Sequence, residues 1–357
     1  MWTEGVIDLL RLLCSLCMIV IFVSACQPAG NPKFEVVYSM EPSSGTDAAE
    51  PPVKSSDHPW TIGIVPKLVE IPYFNLVEQG ALEAAESLGA QVIYKGPPIA
   101  DTTQQIRIIQ DFIQEHVDAI AVSAIDPEKL LPTLVQARQA GIKVITWDSD
   151  TYREGRDFFV NMVDNEKLGR HLMDTLAWNT GEKGKFAILT GQMKAATLNE
   201  WIKWMKVQQK TYYPDMELVE IAATDDDPGK AYEEAKRLLA DHPHLAGIIG
   251  NSSVGPPAAA QAVKEAGLTG KVKVVGLSMP NSMAPYLQDG SAQVATLWSP
   301  KKLGYLTVVL AVQALKGNPP QDGMNVPNFG IVRVAGDVVV MGDPVDFTKE
   351  NVNQYDF

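Results

Sequence analysis

Beyond residue 26 the sequence has no cysteine: its three, Cys14, Cys17 and Cys26, all precede the bulk of a 357-residue chain. A domain made from the remainder has no disulfide to hold it and must rely on its core, which a chain of this length can build. Basic residues are scarce too, with 30 Lys and Arg against 43 Asp and Glu and a net charge of -13. No basic stripe is visible, which disfavours a phosphate-backbone partner, so no nucleic acid is expected. The five histidines (His58, His116, His171, His242 and His244) are scattered. They assemble no Ser-His-Asp or Cys-His set, and neither catalysis, a cofactor nor a metal is expected. The spacing in His242-Pro-His244 would suit a metal, but no further ligands accompany it. What is present is ordinary for a globular protein: 46% hydrophobic and 20% charged residues, enough for two domains.

The amino-terminal region differs from the rest. The apolar run "LLRLLCSLCMIVIFVSAC" ends in Val23-Ser24-Ala25-Cys26, and small residues before a cleavage point mark a secretory signal. Residues 1–25 therefore read as a signal peptide. A cysteine directly after them resembles the bacterial lipobox, which implies lipidation of Cys26 and a membrane tether. An uncleaved apolar anchor is the alternative, and either way the body lies outside the cytoplasm. Cys14-x-x-Cys17 sits inside the apolar leader without the second half of a metal or redox site. Residues 26–59, rich in Pro, Ser, Gly and Ala, read as a flexible tether.

From Trp60 onward strand and helix signals alternate. "TIGIV", "QVIY", "DAIAVSAI" and "IKVITW" read as strands separated by helical periodicity at 74–89, "TTQQIRIIQDFIQEH" and "PEKLLPTLVQARQAG". After "DFFVNMVDN" the pattern repeats, with strands "KFAILTG", 217–222, "AGIIG" and "KVKVVGL" between helices at 164–178, 197–210, 228–240 and 256–267. Repeated β-α units with continuously apolar strands predict α/β architecture with parallel sheets covered on both faces, in two similar lobes. Ligands of such sheets sit beyond the carboxyl ends of the strands.

Those ends collect one kind of chemistry. "TIGIV" is followed by Lys67, Tyr73 and Phe74, and "KVIT" by Trp147, Asp148, Ser149 and Asp150. In the second series come Thr197, Asn199 and Trp201, then Asn251-Ser252-Ser253, then Ser278, with Trp298 after "SAQVATL". A sugar presents apolar C–H faces and a rim of hydroxyls. Aromatic rings cover the first, carboxylates accept hydroxyl protons, and Lys and Asn donate to hydroxyl oxygens. Asp148 is expected to contact hydroxyls, with Trp147 or Trp298 as wall and Asp150 orienting the loop or Lys67. Singly, each residue also has a plain structural reading as N-cap, turn former, staple or lobe plug. Their recurrence at successive strand ends favours a site.

Here the chain resembles the type I periplasmic substrate-binding proteins of sugar ABC transporters. The segment "IPYF" is similar to the aromatic segment of the ribose binders. "VPKL", "VSAIDPEKLLPTLVQARQAGIKVITWDSD", "PAAAQAV", "VVGLSMPNSMAPYLQDG" and "FTKENVNQYDF" resemble the rhamnose-binding and autoinducer-2-binding branch. The resemblance spans Trp60 to Phe357. It implies two Rossmann-like lobes joined by a three-stranded hinge, and ligand contacts at Lys67, Asp148, Asn251 and Ser253. Two departures matter: Thr197-Leu198 stands where the autoinducer-2 binders carry Asp-Gln, and Ser278 where the ribose binders carry Asp.

The resulting expectation is a monomeric, lipid-anchored periplasmic receptor that binds a monosaccharide, rhamnose-like by elimination, for a membrane permease. Autoinducer-2 uptake is the alternative. A sugar-responsive regulator would need a basic helix-turn-helix ahead of the core. A glycosidase would need carboxylates on both sides of a bond, and Asp148 and Asp150 share one loop. The lobes are expected to comprise 60–161 with 279–297 (N-terminal) and 162–278 with 298–357 (C-terminal), the short helix "MAPYLQD" returning to the first lobe. Candidate contacts are Lys67, Tyr73, Phe74, Trp147, Asp148, Asp150, Thr197, Asn199, Asn251, Ser253, Ser278 and Trp298.

Overall fold

Strands that are apolar on both faces need cover on both sides, and the helices between them supply it. The computed structural model describes residues 59–357; the leader, Cys26 and the tether through residue 58 lie outside the described residues. The first series runs β1 (Thr61–Val65), α1 (Pro72–Leu88), β2 (Gln91–Tyr94), α2 (Thr102–Gln114), β3 (Ala119–Val122), α3 (Pro127–Gln139), β4 (Lys143–Trp147) and β5 (Phe158–Asn161). The second runs α4 (Asn165–Thr180), β6 (Gly184–Thr190), α5 (Ala196–Tyr212), β7 (Met216–Ala223), α6 (Pro228–Asp241), β8 (Leu245–Gly250), α7 (Gly255–Glu265), β9 (Lys273–Leu277), α8 (Pro280–Asp289) and β10 (Val294–Leu297). The chain closes with α9 (Pro300–Leu315), β11 (Asn325–Val326), β12 (Gly330–Ile331), β13 (Arg333–Ala335), β14 (Val338–Val340) and β15 (Val345–Phe347).

Local chemistry sets the helix ends. Asp101 caps α2 by accepting from the Thr103 and Gln104 amides, and Asp164 caps α4 by accepting from Lys167 N. Proline opens α1, α3, α6 and α9 at the first turn, where its missing N–H costs nothing.

Both lobes share one strand order. The first sheet runs β13-β14-β5-β4-β3-β1-β2 and the second β15-β10-β9-β8-β6-β7. Within each, the five strands of the β-α series follow the doubly wound order 2-1-3-4-5, so each has its switch point between the first and third strands of its series.

Two expected boundaries are corrected. Residues 279–297 do not return to the first lobe: β10 pairs in parallel with β9, Ala295 opposite Gly276. The segment is one more β-α-β crossover, which lengthens the same sheet by one strand. Nor do residues 298–357 form part of the second lobe as a block. Helix α9 packs along α1, β14 pairs with β5 and β13 with β14, and only β15 pairs with β10 on the second sheet.

The close packing of α9 on α1 depends on two glycines. A Cβ at Gly80 would lie 1.8 Å from the Lys301 carbonyl oxygen, and one at Gly304 would lie 1.9 Å from the Val77 carbonyl oxygen. Apolar residues surround α9 on nearly every side, and a helix of that kind must be buried. Covering the first sheet satisfies that need. The chain thus passes between the lobes three times, at 162–164, 298–299 and 341–344. The first and third passes run together, with Met341 N donating to Asn161 O (2.8 Å) and Gly342 N to Met162 O (3.2 Å).

Candidate functional site

The loops leaving β1, β3 and β4 meet the start of α1 in one polar cluster. Asp148 is its centre. It follows the last residue of β4 with φ +60°, a left-handed conformation that Asp tolerates better than most residues. Its Oδ1 accepts from the Tyr73 hydroxyl (3.0 Å) and its Oδ2 from Ser123 Oγ (2.6 Å). Lys67 Nζ stands 3.0 Å from Oδ2. Tyr73 Oη in turn accepts from Trp298 Nε1 at 3.1 Å. Burial first, and then the Asp148 charge, hold the Tyr73 hydroxyl well above the usual phenol range, so it stays a donor.

Behind the cluster the rings pack edge to face: Tyr73 on Phe74 at 5.2 Å and Phe74 on Trp147 at 5.8 Å between centroids. Gln105, fully buried on α2, braces the loops. Its Nε2 donates to Pro66 O (3.0 Å) and Ser123 O (2.8 Å), and its Oε1 accepts from Ile125 N (3.2 Å).

The second lobe faces this cluster with residues from β6, β7, β8 and α5. Asn251 Nδ2 donates to Leu198 O at 3.1 Å. Trp201 Nε1 donates to Asn165 Oδ1 at 2.9 Å, and its ring lies 5.8 Å from that of Trp298. Asp226 is buried, and burial pushes its carboxyl up while Lys67 across the cleft pulls it back. At the rim, Lys194 of the second lobe pairs with Asp126 of the first at 3.0 Å.

Between the lobes lies a cavity lined by Lys67, Tyr73, Phe74, Asp148, Asn251, Ser253 and Trp298, seven of the twelve residues singled out in the sequence. The other lining residues are Ile71, Leu198, Trp201, Asp226, Ser252, Leu277 and Leu297. Its volume is about 40 Å³, well below the roughly 300 Å³ at which ligand pockets begin.

Five expected contacts lie elsewhere. Trp147 is fully buried behind Phe74 and belongs to the lobe core. Asp150 is held by Arg156, with Nε to Oδ1 at 2.6 Å and a second guanidinium nitrogen to Oδ2 at 2.9 Å, and accepts from Thr151 N at 2.8 Å. It shapes its own loop and does not reach Lys67. Thr197 is buried in the first turn of α5 without reaching the cavity. Asn199 is exposed and closes its own turn through Met193 O at 2.8 Å. Ser278 Oγ donates to Ser253 O at 2.7 Å and so positions that loop from behind.

The sequence reading missed Asp226, Ser123 and Gln105. Asp226 sits in "TDDDPG", which reads as a turn before a helix; Asp227 does cap α6 through Lys230 N. Trp201 stood in the right loop and was the available signal for the second aromatic wall.

A larger cavity of about 630 Å³ opens at the other end of the first sheet, by Trp60, Asp118, Lys143 and Asp157. Its carboxylates are already engaged: Thr61 N donates to Asp118, Val144 N to Asp157, and Arg153 and Arg156 hold Asp337. It lies at the amino ends of the strands, away from the switch points.

Comparison with known proteins agrees with this geometry. A family model described as a periplasmic binding protein domain matches residues 62–319. Among curated proteins, the D-ribose/D-allose-binding protein of Pseudomonas aeruginosa is 26% identical over 226 residues, 62% of this chain and 70% of that protein. The ribose import binding protein RbsB of Bacillus subtilis is 23% identical over 281 residues, 78% of this chain and 89% of its own. Among solved structures, an ABC transporter solute-binding protein from Clostridium phytofermentas with bound L-rhamnose superposes with a TM-score of 0.80 at 28% identity, covering 83% of this chain and 98% of that one. LsrB from Clostridium saccharobutylicum in complex with AI-2 gives a TM-score of 0.78 at 28% identity, covering 83% and 100%. With the family model matching well over half of its length, the chain belongs to the periplasmic binding protein family.

Proposed function

We propose that the protein is the extracytoplasmic, lipid-anchored solute-binding component of an ABC importer, and that its interlobe cleft binds a neutral monosaccharide, L-rhamnose before others. The observation that carries this reading is the pairing of aromatic rings with convergent polar groups at the switch points of both lobes: Tyr73, Phe74, Trp201 and Trp298 beside Lys67, Asp148 and Asn251. Rings cover the C–H faces of a pyranose while the charged and amide groups take up its hydroxyls. Leu198, Leu277, Leu297 and Ile71 add an apolar corner that suits the methyl group of a 6-deoxy sugar. Similarity to the rhamnose-bound protein supports the choice. No step of bond making is required of these residues; they bind, desolvate and release.

Autoinducer-2 is the second reading, favoured by an equally similar structure in complex with AI-2. Against it stands the Thr197-Leu198 pair, where Thr197 stays out of the cavity and Leu198 offers it only an apolar side chain.

A thermal-shift and calorimetric panel of L-rhamnose, D-ribose, D-allose, D-xylose, D-arabinose and autoinducer-2 tests the reading. A ligand at one hundred times its dissociation constant stabilises by about 2.7 kcal/mol, a clear shift. L-Rhamnose is expected to give the largest. A panel in which autoinducer-2 alone binds would replace the sugar with the second reading, and fractionation of the Cys26→Ser variant, expected to leave the membrane, checks the anchor.

A further inference from the structure

The two carboxylates of the cleft are held in opposite ways. Asp148 collects Tyr73, Ser123 and Lys67. Asp226, only 7% exposed and facing the same cavity, forms no ion pair among the described residues and has the Ser252 hydroxyl as its one neighbouring donor. Buried carboxylates without an ion pair are costly, so the position calls for an explanation.

The backbone is built around it. Asp225 and Asp226 both adopt left-handed conformations, φ +53° and +57°, and strain of this kind gathers where a side chain must be aimed. The β6 loop also makes room: a Cβ on Gly191 would stand 2.2 Å from Asp226 Oδ1. Only glycine at 191 lets the carboxylate lie where it does. Around it, Thr190 Oγ1, Thr224 Oγ1, Asn251 Oδ1 and Ser252 Oγ are buried without a protein partner. They stand at the carboxyl ends of β6, β7 and β8, the second-lobe switch point.

Resting on the monosaccharide reading above, we propose that Asp226 is the second-lobe ligand carboxylate, and that it selects neutral polyols with two adjacent hydroxyls on that edge over sugar acids. An ionised carboxylate is an acceptor only, with room for two hydroxyl donors at once. Lys67 is the one cation among the described lining residues, and Asp148 already holds it. A ligand carboxylate entering the cleft therefore meets Asp226 with no cation to receive it.

The test compares wild type with Asp226→Asn by calorimetry, using L-rhamnose and D-ribose, with D-galacturonate as competitor. The amide keeps the shape and loses half of the acceptor. Affinity for the bound neutral sugar is expected to fall at least tenfold, the unliganded melting temperature is not to fall, and D-galacturonate is to compete where it fails against wild type. Unchanged affinity, a loss matched by lower unliganded stability, or wild-type competition by D-galacturonate overturns the assignment. Failure of every neutral sugar to bind wild type removes the monosaccharide reading and this assignment with it. Wild-type binding that survives Asp226→Asn removes the assignment alone.

Discussion

The first and second lobes have the same strand order and differ in how they prepare the cleft. In the first, Asp148, Lys67, Tyr73 and Ser123 satisfy one another and Gln105 braces the loops beneath, so this wall is set before any ligand arrives. Trp147 Nε1 and Ser149 Oγ are the exceptions beneath it. In the second, Asn251 Oδ1, Ser252 Oγ, Thr190 Oγ1 and Thr224 Oγ1 are buried without a protein partner, with the buried Asp226 facing the same cavity. One lobe is a pre-organised platform and the other a set of unmet acceptors and hydroxyls. Binding energy is gained most readily where little remains to be ordered, and discrimination where buried groups are left unpaired by a wrong ligand. On the monosaccharide reading proposed above, affinity belongs chiefly to the first lobe and choice of ligand chiefly to the second.

The strongest way to break the first lobe's rigidity is at Asp150. It forms a bidentate buried pair with Arg156, which also meets Asp337 at 3.0 Å. Asp150→Ala leaves a guanidinium buried with only the partly exposed Asp337 as partner, and removing one member of such a pair costs about 3–5 kcal/mol. Urea denaturation should show a loss of that order. A midpoint within error of the parent would mean that the loop stands without the pair.

Next in size is Asp148→Asn, which releases Lys67 and weakens the Tyr73 and Ser123 bonds. Hydrogen bonds to charged groups contribute roughly 1.5–3 kcal/mol, so sugar affinity should drop by about ten- to a hundredfold. Unlike Asp226→Asn, this variant should also melt earlier without ligand, because its donors lose their acceptor. Equal melting temperatures for the two variants would erase the difference between the lobes.

The smallest effect is a pH dependence on the outer face of the second lobe. His171 on α4 meets Asp346 on β15 at 2.8 Å, and the hydrogen bond to Asp346 raises the histidine pKa against the opposing effect of burial. A raised histidine pKa adds stability below the ordinary histidine range, near pH 6.5, and loses it as pH climbs through the raised value. Burial alone would raise Asp346, but the His171 and Thr296 bonds bring it below the usual carboxylate range. Its contribution therefore fades only in acid. The gap in urea midpoint between wild type and His171→Ala should be wider at about pH 6 than at about pH 9. A gap independent of pH would show that β15 is held by its ladder alone.

Some of the cleft was legible in the chain and some was not, for reasons visible at particular residues. Lys67, Asp148, Asn251 and Trp298 stood out because they follow apolar strands, and a strand end has one direction in which to point. Asp150 and Trp147 shared that signal and were misread, since position along a strand does not say which side of the loop faces solvent, core or cleft. Asp226 was hidden among three aspartates, one of which is an ordinary helix cap. Gln105 sits inside a helix, and a braced loop eighteen or more positions away leaves no trace in local pattern.

By itself the sequence determined the α/β class, the two series of β-α units and the absence of any disulfide in the body. These follow from local periodicity and composition, which each segment carries within itself. Only the tertiary structure decided where α8 and β10 belong, why α9 crosses back to lie on α1, and which of two neighbouring aspartates faces the cleft. Sheet extension, close helix packing through Gly80 and Gly304, and the pairing of Lys67 with Asp148 are contacts between distant segments. Their free energies exist only once the chain has brought those segments together.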